Sequence, residues 1–175
     1  MAVDIASYVR DIPDFPKPGI VFKDITPVLA SAEALDAAVT QLADYGRKVE
    51  AEVVIAAEAR GFLLGAALAR ELGAGFVLAR KPGKLPHETV RAEYLLEYGT
   101  DALELHTDAV AQGARVLVHD DLLATGGTAR ALCELVEHLD GVVVGCAFFI
   151  ELAFLNGRQR LSQYDVSSLL RYDAE

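Results

Sequence analysis

Asp120 and Asp121 end an apolar run and are followed, after Leu122 and Leu123, by Ala124-Thr125-Gly126-Gly127-Thr128, where a helical pattern begins. A helix start offers unpaired backbone N–H groups and a partial positive charge. Glycines let such a backbone close around an anion, and the hydroxyls of Thr125 and Thr128 add donors. The loop can therefore hold a phosphate without a lysine. A nucleoside-triphosphate P-loop needs a Gly-Lys pair here, whereas Thr128 follows Gly127, so that reading is excluded. Two carboxylates are poor neighbours for phosphate oxygens but accept hydrogen bonds from sugar hydroxyls. The stretch thus reads as a site for a ribose 5′-phosphate. The plain alternative is an acidic turn followed by a capped helix.

Two further places could handle an anion. Arg60, followed by Gly61, falls at a strand-to-helix turn where backbone N–H groups and a guanidinium could meet a pyrophosphate. The same arginine could simply start a helix and pair with Glu58. Arg80, Lys81 and Lys84 crowd into "RKPGKLP" in a chain whose net charge is −10. A basic loop in an acidic protein suits capture of a pyrophosphate, though charge alone fits a solvated loop as well.

The elements that would position these residues follow an alternating pattern. Residues 3–12 are expected to form a short amphipathic helix. "DFPKPGIVFKDITP" is expected to be a shaped loop, because prolines punctuate it on both sides. Residues 31–45 read as a helix with Ser31 as its cap. "EVVIAAEARGFLLGAALARELG" gives a buried strand, a turn near Glu58 to Gly61, and a helix closing at Gly73. "AGFVLARKPGKLP" is a strand running into the basic loop, and "ETVRAEYLLEYGTDALELH" suggests two extended arms around "YGTD". "RVLVHDDLLATGGTARALCELVEHLDG" repeats strand, loop and helix, with the helix starting between Thr125 and Thr128. "VVVGCAFFIEL" and "VSSLL" complete the strands. Alternation of this kind predicts an α/β fold with a mainly parallel central sheet flanked by helices.

The 175 residues suit one domain with a real core. An acidic chain of pI about 4.8 argues against a broad grip on nucleic acid. No apolar run is long enough to span a bilayer, and the N-terminal residues show no basic region followed by an apolar stretch, which favours a cytoplasmic protein without a membrane partner. Cys133 and Cys146 sit in apolar contexts outside any CxxC pair and read as reduced core thiols. No His/Cys cluster has the spacing of a structural zinc site.

The motif "DDLLATGGTA" resembles the phosphoribosyl-pyrophosphate motif of the type I phosphoribosyltransferase family, in the form found in its adenine-using branch. "DFPKPGIVFKDITPVL", "EARGFLLGAALA", "RKPGKLP" and "EYLLEYGTDALELH" also resemble segments of that branch, in the same order, so the resemblance covers most of the chain. It implies one catalytic domain over residues 1–175, with a base-covering hood at about 1–30 and a mobile lid arm at about 84–106. It implies transfer of a phosphoribosyl group from phosphoribosyl pyrophosphate to adenine, giving AMP and pyrophosphate. Arg60, Arg80, Lys81, Lys84, Asp120, Asp121, Ala124, Thr125, Gly126, Gly127 and Thr128 are then the residues at phosphoribosyl pyrophosphate. Val21, Phe22, Lys23 and Arg60 are those at adenine, with Phe22 stacking on the ring and the main chain around Val21 and Lys23 pairing with its edge. Glu97 and Tyr98 match the Glu-Tyr pair at the lid tip, where Glu97 would exchange a proton with the purine and Tyr98 would order the pyrophosphate. Magnesium would arrive with the substrate, held by Asp120 or Asp121 mostly through water, and the assembly would be a homodimer. Lys23 and His87 depart from the family pattern, which often has arginine and glycine there.

Rival readings remain within reach of the same motif. A transferase for a 6-oxopurine would want a cation near O6, and no clear candidate follows the Thr-Gly-Gly-Thr loop. A non-catalytic sensor of phosphoribosyl pyrophosphate would be expected to lose Glu97 or gain a basic DNA-binding segment. A sugar-phosphate isomerase would leave the separate pyrophosphate loop unexplained.

Overall fold

The computed structural model describes residues 3–96 and 99–174. Its centre is a five-stranded parallel sheet of order β4-β3-β7-β8-β9, formed by Gly75–Ala79 (β4), Val53–Ala57 (β3), Arg115–Leu123 (β7), Val142–Leu152 (β8) and Val166–Tyr172 (β9). The expected α/β class with a mainly parallel sheet is found. A parallel sheet must be covered on both faces, so its central strands are apolar throughout rather than alternating. On β7, Val116 and Val118 join one buried cluster and Leu117 the other.

Helices Ala32–Lys48 (α2) and Gly61–Leu72 (α3) cover one face, through Leu42, Leu64 and Leu68 packed with Leu117 and Phe149. Helix Gly127–His138 (α4) covers the other, through Leu132, Leu135 and Val136. Ser31 caps α2 by accepting from the Ala34 backbone N–H at 3.3 Å. α3 stops at Gly73, whose φ of 66° is the left-handed conformation that terminates helices. Cys133 and Cys146 are both buried and free, with their sulfurs 3.8 Å apart.

Two small antiparallel hairpins stand outside the sheet. The arm pairs Thr89–Leu96 (β5) with Gly99–His106 (β6), from Thr89 opposite His106 to Leu96 opposite Gly99. The other hairpin corrects two expectations. Residues 3–12 hold only a 3-10 turn at Ile5–Tyr8, after which Arg10–Pro13 is a strand (β1). The expected loop contains a second strand, Val21–Asp24 (β2), and a short helix, Thr26–Ala30 (α1). β1 and β2 pair across the prolines because the Asp14 carboxylate accepts from the Gly19 backbone N–H at 2.8 Å and Phe15 N–H donates to the Ile20 carbonyl. The prolines bend the connection and leave the pairing on either side intact.

Candidate active site

The chain leaves β3 through α3 toward β4 and leaves β7 through α4 toward β8, in opposite directions along the sheet. β3 and β7 are neighbours, so their carboxyl ends flank the point where strand order reverses, the usual crevice for a ligand in open α/β sheets. Arg60 stands just after β3, Asp120 and Asp121 lie near the end of β7, and Gly126 caps α4.

The Gly-rich loop and the acid pair line one cavity of about 180 Å³, which includes Arg60 and every residue from Asp120 to Ala129. α4 begins at Gly127, inside the expected window, and Gly126 precedes it with φ of 82°. A second cavity of about 230 Å³ is lined by Glu58, Ala59, Lys81, Tyr94, Asp101 and Leu103. Arg60, Asp120, Asp121 and Thr128 line both.

Arg60 pairs with Asp121 at 3.0 Å, and Glu58 pairs with Arg80 at 2.9 Å. The alternative Arg60–Glu58 pair is therefore not formed. The Arg60 guanidinium also lies 5.1 Å from the Phe22 ring centre, in cation–π range. One side chain thus spans from the acid pair to the aromatic ring of the N-terminal hairpin. Phe22 meets Phe15 edge-on at 5.2 Å.

Burial, and then the adjacent Asp121 charge, push the Asp120 carboxyl up. Burial also raises Asp121, against the pull of Arg60. Asp120 accepts from the Asp121 backbone N–H at 2.9 Å. Two carboxylates this close favour a neighbouring cation or hydroxyl donors. Among the described residues no three His, Cys, Asp or Glu side chains converge on a metal position. The donor set therefore fits an oxygen-loving ion that brings most of its own ligands, and does not fit a closed protein cage.

Arg80, Lys81 and Lys84 are grouped in the chain, and the structure separates them. Lys81 lines the second cavity, while neither Arg80 nor Lys84 lines either one. Lys81 pairs with Asp101 of the arm at 2.9 Å, and that contact raises its pKa. Arg80 is held by Glu58 and by the Lys84 carbonyl. Lys23 is 7% exposed and pairs with Asp11 at 2.7 Å, its ammonium 4.2 Å over the Tyr172 ring. Successive strand residues point to opposite faces. Phe22 therefore turns to Arg60 while Lys23 clamps the hairpin to β9. His87 packs against His106 at the base of the arm, away from both cavities. Val21 lies on β2 beside Phe22. Glu97 and Tyr98 lie outside the described residues.

Several lining residues were not anticipated. Glu58, Tyr94, Asp101 and Leu103 belong to the wall of the second cavity. The alternation within the arm placed 101 and 103 on one face, but only the folded contact shows which face meets the crevice.

This geometry defines a nucleotide-type crevice in an α/β fold, and comparison with known proteins gives its class. Residues 23–171 match the phosphoribosyl transferase domain family. The chain belongs to the phosphoribosyl transferase family. It is 58% identical over 169 residues to the adenine phosphoribosyltransferase of Rubrobacter xylanophilus, covering 96% of this chain and 91% of that protein. The crystal structure of adenine phosphoribosyltransferase from Thermoanaerobacter pseudethanolicus superposes with a TM-score of 0.94 at 54% identity, covering 97% of this chain and 98% of that one. The Saccharomyces cerevisiae enzyme, complexed with an imino-altritol bisphosphate and adenine, superposes with a TM-score of 0.90 at 37% identity, covering 95% and 97%.

Proposed function

We propose that the chain is an adenine phosphoribosyltransferase of purine salvage, a pentosyltransferase that converts adenine and phosphoribosyl pyrophosphate to AMP and pyrophosphate. The observation that carries this reading is the line from the Gly-rich loop through Asp121 and Arg60 to Phe22. It matches, in order, a 5′-phosphate, ribose hydroxyls and a flat base. Similarity to enzymes named for this reaction supports it over most of the chain.

In this reading the backbone of Ala124 to Thr128 holds the 5′-phosphate, and Asp120 and Asp121 accept from the ribose hydroxyls. Arg60 and the 58–61 turn face the pyrophosphate, with Lys81 on the wall beyond. Phe22, Arg60 and the main chain of Val21 and Lys23 hold adenine. Arg80 and Lys84 of the same basic loop complete the surroundings of the pyrophosphate. Loss of pyrophosphate leaves an electron-poor C1′, so residues 84–106 act as a lid that excludes water, and residues 1–30 act as the hood over the base. Glu97 takes the proton that adenine gives up, and Tyr98 orders the departing pyrophosphate. The work is positioning and electrostatics at two anion sites. Magnesium, held through water by Asp120 or Asp121, would neutralise charge on the pyrophosphate.

The protein works in the cytoplasm as a homodimer, with no nucleic-acid or membrane partner. The net charge of −10 and the half-exposed Leu63 and Leu78 are consistent with this. Among the described residues no helix is long and apolar enough to cross a membrane.

The test is an AMP assay with magnesium, phosphoribosyl pyrophosphate and, in turn, adenine, hypoxanthine and guanine. AMP from adenine alone, lost in Glu97→Ala and Asp121→Ala, is the expected result. Binding of phosphoribosyl pyrophosphate with no nucleotide from any base would replace the enzyme by a sensor.

A further inference from the structure

The Gly-rich loop does not hold its shape alone. After β8 the chain makes two 3-10 turns, Ala153–Leu155 and Gly157–Leu161, joined at Asn156 with φ of 56°. This segment lies against the back of the loop. A Cβ added to Gly157 would overlap the Ala124 carbonyl oxygen and come within 3.0 Å of the Leu123 side chain. A Cβ added to Gly126 would fall 2.5 Å from the Gly157 carbonyl oxygen and 3.3 Å from the Arg160 Cβ. Two stretches of main chain therefore touch with no side chain between them.

The two glycines are required for different reasons. Gly126 has positive φ, which by itself favours glycine. Gly157 is not among the positive-φ glycines, so the close approach to Ala124 is what excludes a side chain there.

The segment is also fastened from behind. Arg158 donates to both carboxylate oxygens of Glu151, each at 2.7 Å, and to the Val166 carbonyl at 2.8 Å. Ser168 of β9 donates to Glu151 at 2.7 Å. Glu151 is 3% exposed at the end of β8, so this fork ties Gly157 to two strands of the rigid sheet.

We propose that Gly157 is a positioning residue for the ribose 5-phosphate end of the substrate, acting through the Ala124–Thr128 main chain, with the Glu151–Arg158 fork holding it in place. The proposal rests on the reading above in which that loop binds the 5′-phosphate. Backbone donors must point at the phosphate within a fraction of an ångström, so a methyl group pushed against Ala124 disturbs them as a set.

Initial rates are measured with phosphoribosyl pyrophosphate and adenine varied separately, for wild type, Gly157→Ala and Arg158→Lys. Ribose 5-phosphate is also titrated calorimetrically into each. Gly157→Ala is expected to raise KM for phosphoribosyl pyrophosphate and Kd for ribose 5-phosphate by about tenfold or more, with KM for adenine within about twofold. Arg158→Lys, which keeps the charge and loses the fork, should shift the same constants by a smaller factor. Unchanged constants in a folded Gly157→Ala overturn the proposal, as does a fall in kcat with both KM values unmoved. If Gly157→Ala does not fold, Arg158→Lys decides, and an unmoved Kd in it overturns the proposal. If wild type makes no AMP yet binds ribose 5-phosphate, the enzyme reading fails while the Kd comparison still tests Gly157.

Discussion

The Gly-rich loop at 124–128 and the basic loop at 80–84 both offer a place for an anion, by opposite means. The first has no cation of its own. It uses a helix start, a left-handed glycine and main chain packed on main chain at Gly157. The second is rich in charge, yet Arg80 is engaged by Glu58 and Lys81 by Asp101. A backbone site is set before the ligand arrives and loses little on binding. A site of paired side chains must first exchange one partner for another, so part of its attraction is already used. The first should therefore be unforgiving of shape changes, and the second tolerant of them but sensitive to salt.

The largest break should come from Gly126→Val. It combines a positive φ with a clash against the Gly157 carbonyl. A β-branched side chain there should cost several kcal/mol across loop strain and lost phosphate contacts, or about 10² to 10³ in kcat/KM for phosphoribosyl pyrophosphate. Steady-state kinetics on the folded variant checks it.

Asp121→Asn should come next. It removes the charge that holds Arg60 at 3.0 Å and a strong acceptor for sugar hydroxyls. The expected fall in kcat/KM is about 10- to 100-fold, read in both substrates because Arg60 also touches Phe22. An effect confined to one substrate would break the link between the acid pair and the base side.

The fork behind the Gly-rich loop gives a pH prediction. Hydrogen bonds from Arg158, then from Ser168, hold the Glu151 carboxyl below its usual range. A depressed carboxyl contributes stability above its unfolded value, near 4.5, and loses it as pH falls through the lower folded value. Glu151→Gln should lower stability at pH 7 by about 1–2 kcal/mol, a figure reduced from that of a fully buried pair because Arg158 is partly solvated. It should also flatten the loss of stability below about pH 4.5. Thermal melts of both proteins from pH 7 to 3 check both parts.

The smallest effect should be that of Asp101→Asn. It frees Lys81, but the pair is partly exposed and worth about 0.5 kcal/mol. KM for phosphoribosyl pyrophosphate should move by about twofold and become more sensitive to salt. A tenfold change would mean that the Lys81–Asp101 pair governs this loop far more strongly than a partly exposed ion pair should.

The two loops also differ in how far they could be read beforehand. The Gly-rich loop depends on local backbone requirements, so "DDLLATGGTA" shows a helix start without tertiary information. The partners of Arg60, Arg80 and Lys81 could not be read, because each is supplied by a residue distant in sequence or by a competing neighbour. The hairpin around Phe22 is hidden in the sequence for a related reason. Proline spacing showed a bend, while strand pairing depends on the partner across it. Lys23 lay beside Phe22 in the motif, yet the pleat sends its ammonium to Asp11 and Tyr172.

The parallel α/β core is legible in the chain alone, because fully apolar strands and capped amphipathic helices are short-range patterns. The start of α4 at the Gly-Gly pair is legible for the same reason. Only the tertiary structure decided which charges are spent on each other, that Arg60 links the acid pair to Phe22, and that Gly157 backs the loop. Those facts depend on close approach between segments far apart in the chain, and no local pattern encodes a distance of that kind.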